Sequence, residues 1–268
     1  MDFAPACRQG RRTRSLRAVV AHCRQAYSEK NELRPHLNKT WCIGIMDATF
    51  IARMEQILHL YALPIDELYP VVCFDERPCF LIGDNVAGLG MKAGQAARQH
   101  YAYEKRGSCV LLMSIEPKTG KRVARVTDRR TKLDYADFMK ELSLRYPKAK
   151  KIRVVQDNLN THSTSAFYEA FSAEEAFALS QRFEFNYTPK RASWLNMIEI
   201  EFSALSKQCL SRRIATKQQL EKEVLAIVKE REEKGIKIDW QFSMESARNK
   251  LNRHYQQVNA ENAQYKRT

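Results

Sequence analysis

The sequence predicts an α/β fold, a mixed sheet flanked by helices, with one helix ahead of the sheet and further helices behind it. Three observations carry the prediction. Short apolar runs of strand character crowd the region after residue 70. A strand–helix–strand–helix order follows between about 152 and 209. Apolar residues recur at helical spacing before and after that region.

Taken in order, residues 48–62 place Phe50, Ile51, Met54, Ile57, Leu58 and Tyr61 on one helical stripe, which Pro64 ends. The period then changes. Val71–Phe74 is a short apolar run stopping at Asp75-Glu76, and Cys79–Ile82 follows it, so the spacing predicts two paired strands joined by a turn at Arg77-Pro78. Residues 83–107, rich in Gly, Ala and basic side chains, read as a loop. Val110–Ile115 and Arg122–Val126 predict two more strands around a Lys118-Thr119-Gly120 turn. A helix is expected over Leu133–Tyr146, with Asp134 near its start and Pro147 at its end. Ile152–Gln156 is a strand delivering Asp157-Asn158 to its carboxyl end. Residues 164–182 read as two helical pieces divided near Ser172, and Phe183–Tyr187 alternates as the last strand. Thr188-Pro189-Lys190-Arg191 is a basic loop leading into a helix from about Ser193 to Cys209, and two helices, about 217–234 and 243–257, finish the chain.

At 268 residues there is material for one large domain, or one domain with helical appendages. No apolar run approaches the length that spans a bilayer, and the opening Met1-Asp2-Phe3-Ala4-Pro5 lacks the pattern of a secretion signal, so a cytoplasmic location is expected. Lys and Arg number 45 against 31 Asp and Glu, a net charge of +14, which favours a polyanionic partner such as nucleic acid. The seven cysteines (7, 23, 42, 73, 79, 109 and 209) form no C-x-x-C pair, and several sit in apolar runs. Buried reduced thiols are the expectation, rather than a zinc site or disulfides.

Two acids stand directly after apolar strands, Asp75 and Asp157. Ligand sites of open α/β sheets gather at the carboxyl ends of strands. Two carboxylates held side by side repel unless a cation lies between them, and Mg²⁺ suits such oxygen ligands. A third acid comes from the helix after Ser193, whose stripe of Trp194, Leu195, Ile198, Phe202, Leu205 and Cys209 is flanked on opposite sides by Glu199 and Glu201. Periodicity does not choose between them; the one that is not a ligand is expected on a solvated face. Trp194, on the stripe, is expected in the core.

Four segments, Val71-Val72-Cys73-Phe74-Asp75-Glu76, Gln156-Asp157-Asn158-Leu159-Asn160-Thr161-His162-Ser163, Tyr187-Thr188-Pro189-Lys190 and Ser193-Trp194-Leu195-Asn196-Met197-Ile198-Glu199, together resemble bacterial transposases of the insertion-sequence-630 type. These belong to the Tc/mariner superfamily, with a DDE catalytic domain. The resemblance runs from about Asn31 to about Tyr255 and implies a ribonuclease H-like fold with Asp75, Asp157 and Glu199 as the metal-binding triad. Leu195–Glu199 matches the family's L-N-x-I/A-E pattern, which selects Glu199 over Glu201. The implied cofactor is Mg²⁺ or Mn²⁺, as two ions roughly 3.5–4 Å apart that activate an attacking oxygen and steady a leaving one. Double-stranded DNA, as element ends and target, is the implied substrate, bound by a homodimer. Asn158, Asn160, His162, Lys190 and Arg191 are candidates for DNA contact.

The resemblance divides the chain into a basic leader at 1–40, a linker helix at 41–66, the catalytic domain at 67–211 and a helical extension at 212–268. Residues 1–28 do not resemble the helix-turn-helix with which full-length relatives read their terminal repeats. A non-catalytic, truncated DNA-binding remnant is therefore one alternative reading, and a ribonuclease H-like nuclease is another.

Overall fold

The computed structural model describes residues 46–264; the leader, with Cys7, Cys23 and Cys42, lies outside the described residues. Five strands make one sheet in the order β3-β2-β1-β4-β5. They are β1 Val71–Asp84, β2 Tyr103–Ile115, β3 Arg122–Thr127, β4 Ile152–Gln156 and β5 Phe183–Tyr187. β2 is antiparallel to β1 and β3, whereas β4 is parallel to β1 and β5. The sheet is therefore mixed, with the strand order of a ribonuclease H-like fold.

The helices are α1 Ala48–Ala62, α2 Lys132–Arg145, α3 Ser165–Ala170, α4 Ala173–Gln181, α5 Ile198–Leu205, α6 Lys217–Glu233, α7 Met244–Lys250 and α8 Asn252–Val258. Their starts follow local chemistry. The Asp47 carboxylate accepts from the Phe50 amide to begin α1, and Thr131 and Asp134 form a reciprocal capping box on α2. Ser172 divides α3 from α4 by capping the latter.

Strand alternation sorts the core onto two faces. Val72 and Phe74 of β1 and Val154 of β4 pack against Tyr135, Phe138 and Met139 of α2 and Phe167 of α3. Cys73 and Val155 point the other way, into a cluster with Tyr61 of α1, Phe202 of α5 and Val224 of α6. A third cluster joins Phe50 and Met54 of α1 to Leu195, Ala247 and Tyr255. Cys73, Cys79, Cys109 and Cys209 are buried and free. Among the described residues, no helix is long and apolar enough to cross a membrane.

Several elements differ from expectation. Arg77-Pro78 is not a turn: β1 is one strand of 14 residues, paired with β2 from Cys73↔Ile115 to Asp84↔Tyr103. β4 pairs with β1 only over Val71–Cys73, so Pro78 lies past the end of β4, where its missing N–H breaks no ladder bond on that edge. The expected loop at 83–107 shortens accordingly, because β2 begins at Tyr103. Residues 103–108 are exposed and carry no apolar alternation that would have marked them as strand.

The helix expected over Ser193–Cys209 is three pieces: a 3₁₀ turn at Ser193–Leu195, then α5, then a π turn at Ser206–Leu210. The break is at Asn196, which is extended (φ −83°, ψ 111°) so that its side chain reaches β1. Trp194 precedes the break and is not core; it is 44 % exposed, edge-on to Phe242 with ring centroids 5.4 Å apart. The last expected helix is likewise interrupted, at Leu251, into α7 and α8.

Candidate active site

β1 and β4 are parallel neighbours with Cys73 opposite Val155. Asp75 and Asp157 each stand two residues further on, so the register brings them to the same level at adjacent positions. Burial pushes the Asp75 carboxyl up, and the Glu76 amide, which donates to its Oδ1 at 2.7 Å, opposes that. The negative charges of Asp157 and Glu199 push it further and His162 pulls it back, leaving it raised to about 7. The electrostatics thus tie together three acids that are far apart in sequence.

Glu199 is exposed on the first turn of α5. What holds that turn over the sheet is Asn196: 1 % exposed, it donates its Nδ2–H to the Phe74 carbonyl, one residue before Asp75, at 2.8 Å. Tyr61 of α1 donates its hydroxyl proton to the Leu195 carbonyl at 2.8 Å, anchoring the same segment from the other side. Asp75 feels the charge of the other two acids, but the three do not close on a point. Among the described residues, no three His, Cys, Asp or Glu side chains stand near enough to grip an ion as they are placed.

His162, by sequence a candidate for DNA contact, lies inside the protein. Its ring is 1 % exposed, stacked on Tyr135 (4.9 Å, 24°) and edge-on to Phe74 (5.3 Å). Nδ1 lies 2.6 Å from Asp157 Oδ1, and Nε2 lies 3.1 Å from Glu76 Oε1. Burial opposes a charge on the ring, but the hydrogen bonds and charges of Asp157 and Glu76 outweigh it and push His162 up to about 9. Nδ1 also lies 3.4 Å from the Asp157 carbonyl oxygen.

The remaining candidates are at the surface. Asn158, Asn160, Lys190 and Arg191 are exposed, and Arg191 holds a left-handed backbone (φ 61°). Such a conformation costs a non-glycine residue roughly 1–2 kcal/mol. Glu201 overturns the expectation of a solvated face. It is fully buried, bound by Arg122 (Nε 2.8 Å, Nη2 3.2 Å) and by Arg231 (Nε 2.7 Å, Nη2 3.0 Å). Burial raises its pKa, and the two guanidinium groups more than reverse that, holding it below the usual glutamate range.

Sequence reasoning missed Glu76, Asn196 and the pair Arg122 and Arg231. Asn196 left a usable signal, as a polar residue inside the apolar run Leu195–Ile198. Glu76, read as the end of a strand, left none.

A family model described as the DDE superfamily endonuclease matches residues 70–221, more than half of the chain. Among solved structures, the Mos1 mariner paired end complex with Mn is similar at 13% identity and a TM-score of 0.49, covering 98% of this chain and 84% of that one. The catalytic domain of Mos1 mariner transposase is similar at 11% identity and a TM-score of 0.46, covering 83% and 98%. The Mos1 transposase paired-end complex with left transposon end is similar at 13% identity and a TM-score of 0.47, covering 94% and 75%. No curated protein matches the chain. With its match across the strands and helices that carry Asp75, Asp157 and Glu199, the chain belongs to the DDE superfamily of endonucleases.

Proposed function

We propose that the chain is the catalytic part of a Tc/mariner-type DNA transposase of the bacterial insertion-sequence-630 kind, with Asp75, Asp157 and Glu199 as its metal ligands. The observation that supports this reading is the register that sets Asp75 and Asp157 side by side on two parallel strands, with Glu199 near enough to act on Asp75 through its charge, in a DDE endonuclease. The donor set suits a divalent ion: every ligand atom is a carboxylate oxygen, and Asp75 is destabilised as an anion by the other two. Bound there, Mg²⁺ or Mn²⁺ would activate an attacking oxygen and steady the leaving oxygen of a phosphodiester.

The protein's own residues supply position and charge. Asn196 fixes the helix of Glu199 to the strand of Asp75. Asn158 and Asn160 follow Asp157 along the chain, Lys190 and Arg191 precede the Glu199 helix, and all four are exposed and suited to hold phosphates. The net charge of +14 supports a DNA substrate, both element ends and target. We take residues 67–211 as the catalytic unit, 41–66 as its linker helix and 212–268 as its extension, acting as a homodimer on DNA in the cytoplasm.

The test is nicking of duplex DNA carrying the element's ends, in Mg²⁺ or Mn²⁺. The expected product is a strand break with a free 3′-hydroxyl, lost with the metal and lost in Asp157→Ala. Nicking that survives Asp157→Ala would overturn the proposal, and a preference for RNA–DNA hybrids would replace it with a ribonuclease.

A further inference from the structure

Resting on that reading, we infer that His162 and Glu76 form a buried strut that sets the spacing of Asp75 and Asp157, and that both are positioning residues for the metal site. Glu76 follows Asp75 on β1, and Asp157 directly follows the neighbouring strand β4. His162 spans the gap between them, 2.6 Å from Asp157 Oδ1 on one nitrogen and 3.1 Å from Glu76 Oε1 on the other. One rigid ring therefore ties a side chain adjacent to the first acid to the second acid itself.

Further contacts restrain His162, whose Nδ1 also lies 3.4 Å from the Asp157 carbonyl oxygen. Tyr135 stacks on it and Phe74 meets it edge-on. Its backbone carbonyl accepts from Gln156 Nε2 at 3.2 Å and from the Tyr187 hydroxyl at 3.2 Å. Arg130 Nε lies 3.3 Å from Glu76 Oε2 and closes the far end. Glu76 has a side chain only 2 % exposed and His162 none, so neither is placed to meet DNA. A side chain that orients a metal ligand through a hydrogen bond typically changes metal affinity when removed, by about 10- to 100-fold.

The experiment is calorimetric titration of the full chain with Mn²⁺ alone, without DNA, alongside thermal unfolding without metal. His162→Gln and Glu76→Ala are each expected to weaken Mn²⁺ binding about 10- to 100-fold. The double variant should be little worse than the weaker single one, because either change removes the same strut. Tyr135→Phe, which loses a hydroxyl bonded to Gln156 but keeps the stacked ring, controls for destabilisation and should bind Mn²⁺ as the parent does. Unchanged Mn²⁺ affinity in both His162→Gln and Glu76→Ala overturns the strut. Asp157→Ala separates that failure from a deeper one: if it too binds Mn²⁺ like the parent, the metal site itself is wrong. If His162→Gln does not fold, Glu76→Ala, separated from the metal by His162 and Asp157, decides alone.

Discussion

Glu199 and Glu201 stand two residues apart on α5, and nothing in their composition distinguishes them. At about 100° per residue they leave the helix on opposite sides. Glu199 is exposed and near enough to Asp75 for its charge to act there. Glu201 enters the interior, where two arginines from β3 and α6 grip both its oxygens. Among the described residues, no cationic side chain pairs with Glu199, whereas Glu201 is held by two and serves the fold. The contrast teaches that a carboxylate's role here is set by the charges facing it, not by the element carrying it.

The largest expected effect splits the pair cleanly. Glu199→Ala should reduce metal-dependent nicking to background while shifting unfolding stability by no more than about 0.5 kcal/mol, as for an exposed position. Glu201→Ala should do the reverse in stability, costing about 3–5 kcal/mol, because it leaves two arginines facing each other in the interior. Urea unfolding of the two variants beside a nicking assay reads both. Equal stability losses would erase the distinction between the two faces.

A smaller effect follows from acidity. The pKa of Glu201 is lower folded than its ordinary value of 4.5, so its contribution is fully present above that value and is lost as pH falls through the folded one. The parent should therefore be more stable than Glu201→Gln near neutrality, with the gap narrowing only below about pH 4.5. Thermal unfolding of both proteins between pH 3 and 7 measures it, and a gap independent of pH would mean the arginines do not depend on this charge.

The smallest effect concerns the surface on the Glu199 side. Lys190→Ala and Arg191→Ala should each weaken DNA binding across sequences and lower the slope of log affinity against log salt by about 1. Titrations at several salt concentrations decide it; an unchanged slope would place those side chains away from phosphate.

The sheet itself was largely legible from the residues. β4 and β5 match the expected bounds at both ends, α1 and the division at Ser172 follow their patterns, and both aspartates lie where the apolar runs stop, although Asp75 falls inside β1 and not at its end. These are local properties, in which period and capping chemistry fix the backbone. Where the reading failed, the deciding partner was distant. β1 runs through Pro78 because β4 has already ended, and the helix before Glu199 breaks because Asn196 bonds to a strand 122 residues earlier. His162 reads as a loop residue until Glu76, 86 residues away, takes its second nitrogen.

By itself, then, the sequence determined the order of strands and helices, the basic charge and the placing of Asp75 and Asp157 directly after apolar runs, since each depends on residues adjacent along the chain. Only the tertiary structure decided which glutamate is buried, that the histidine lies inside, and how α5 is moored. Those outcomes depend on which charge or carbonyl another segment brings within about 3 Å, the range over which a hydrogen bond forms, and no periodicity records a neighbour of that kind.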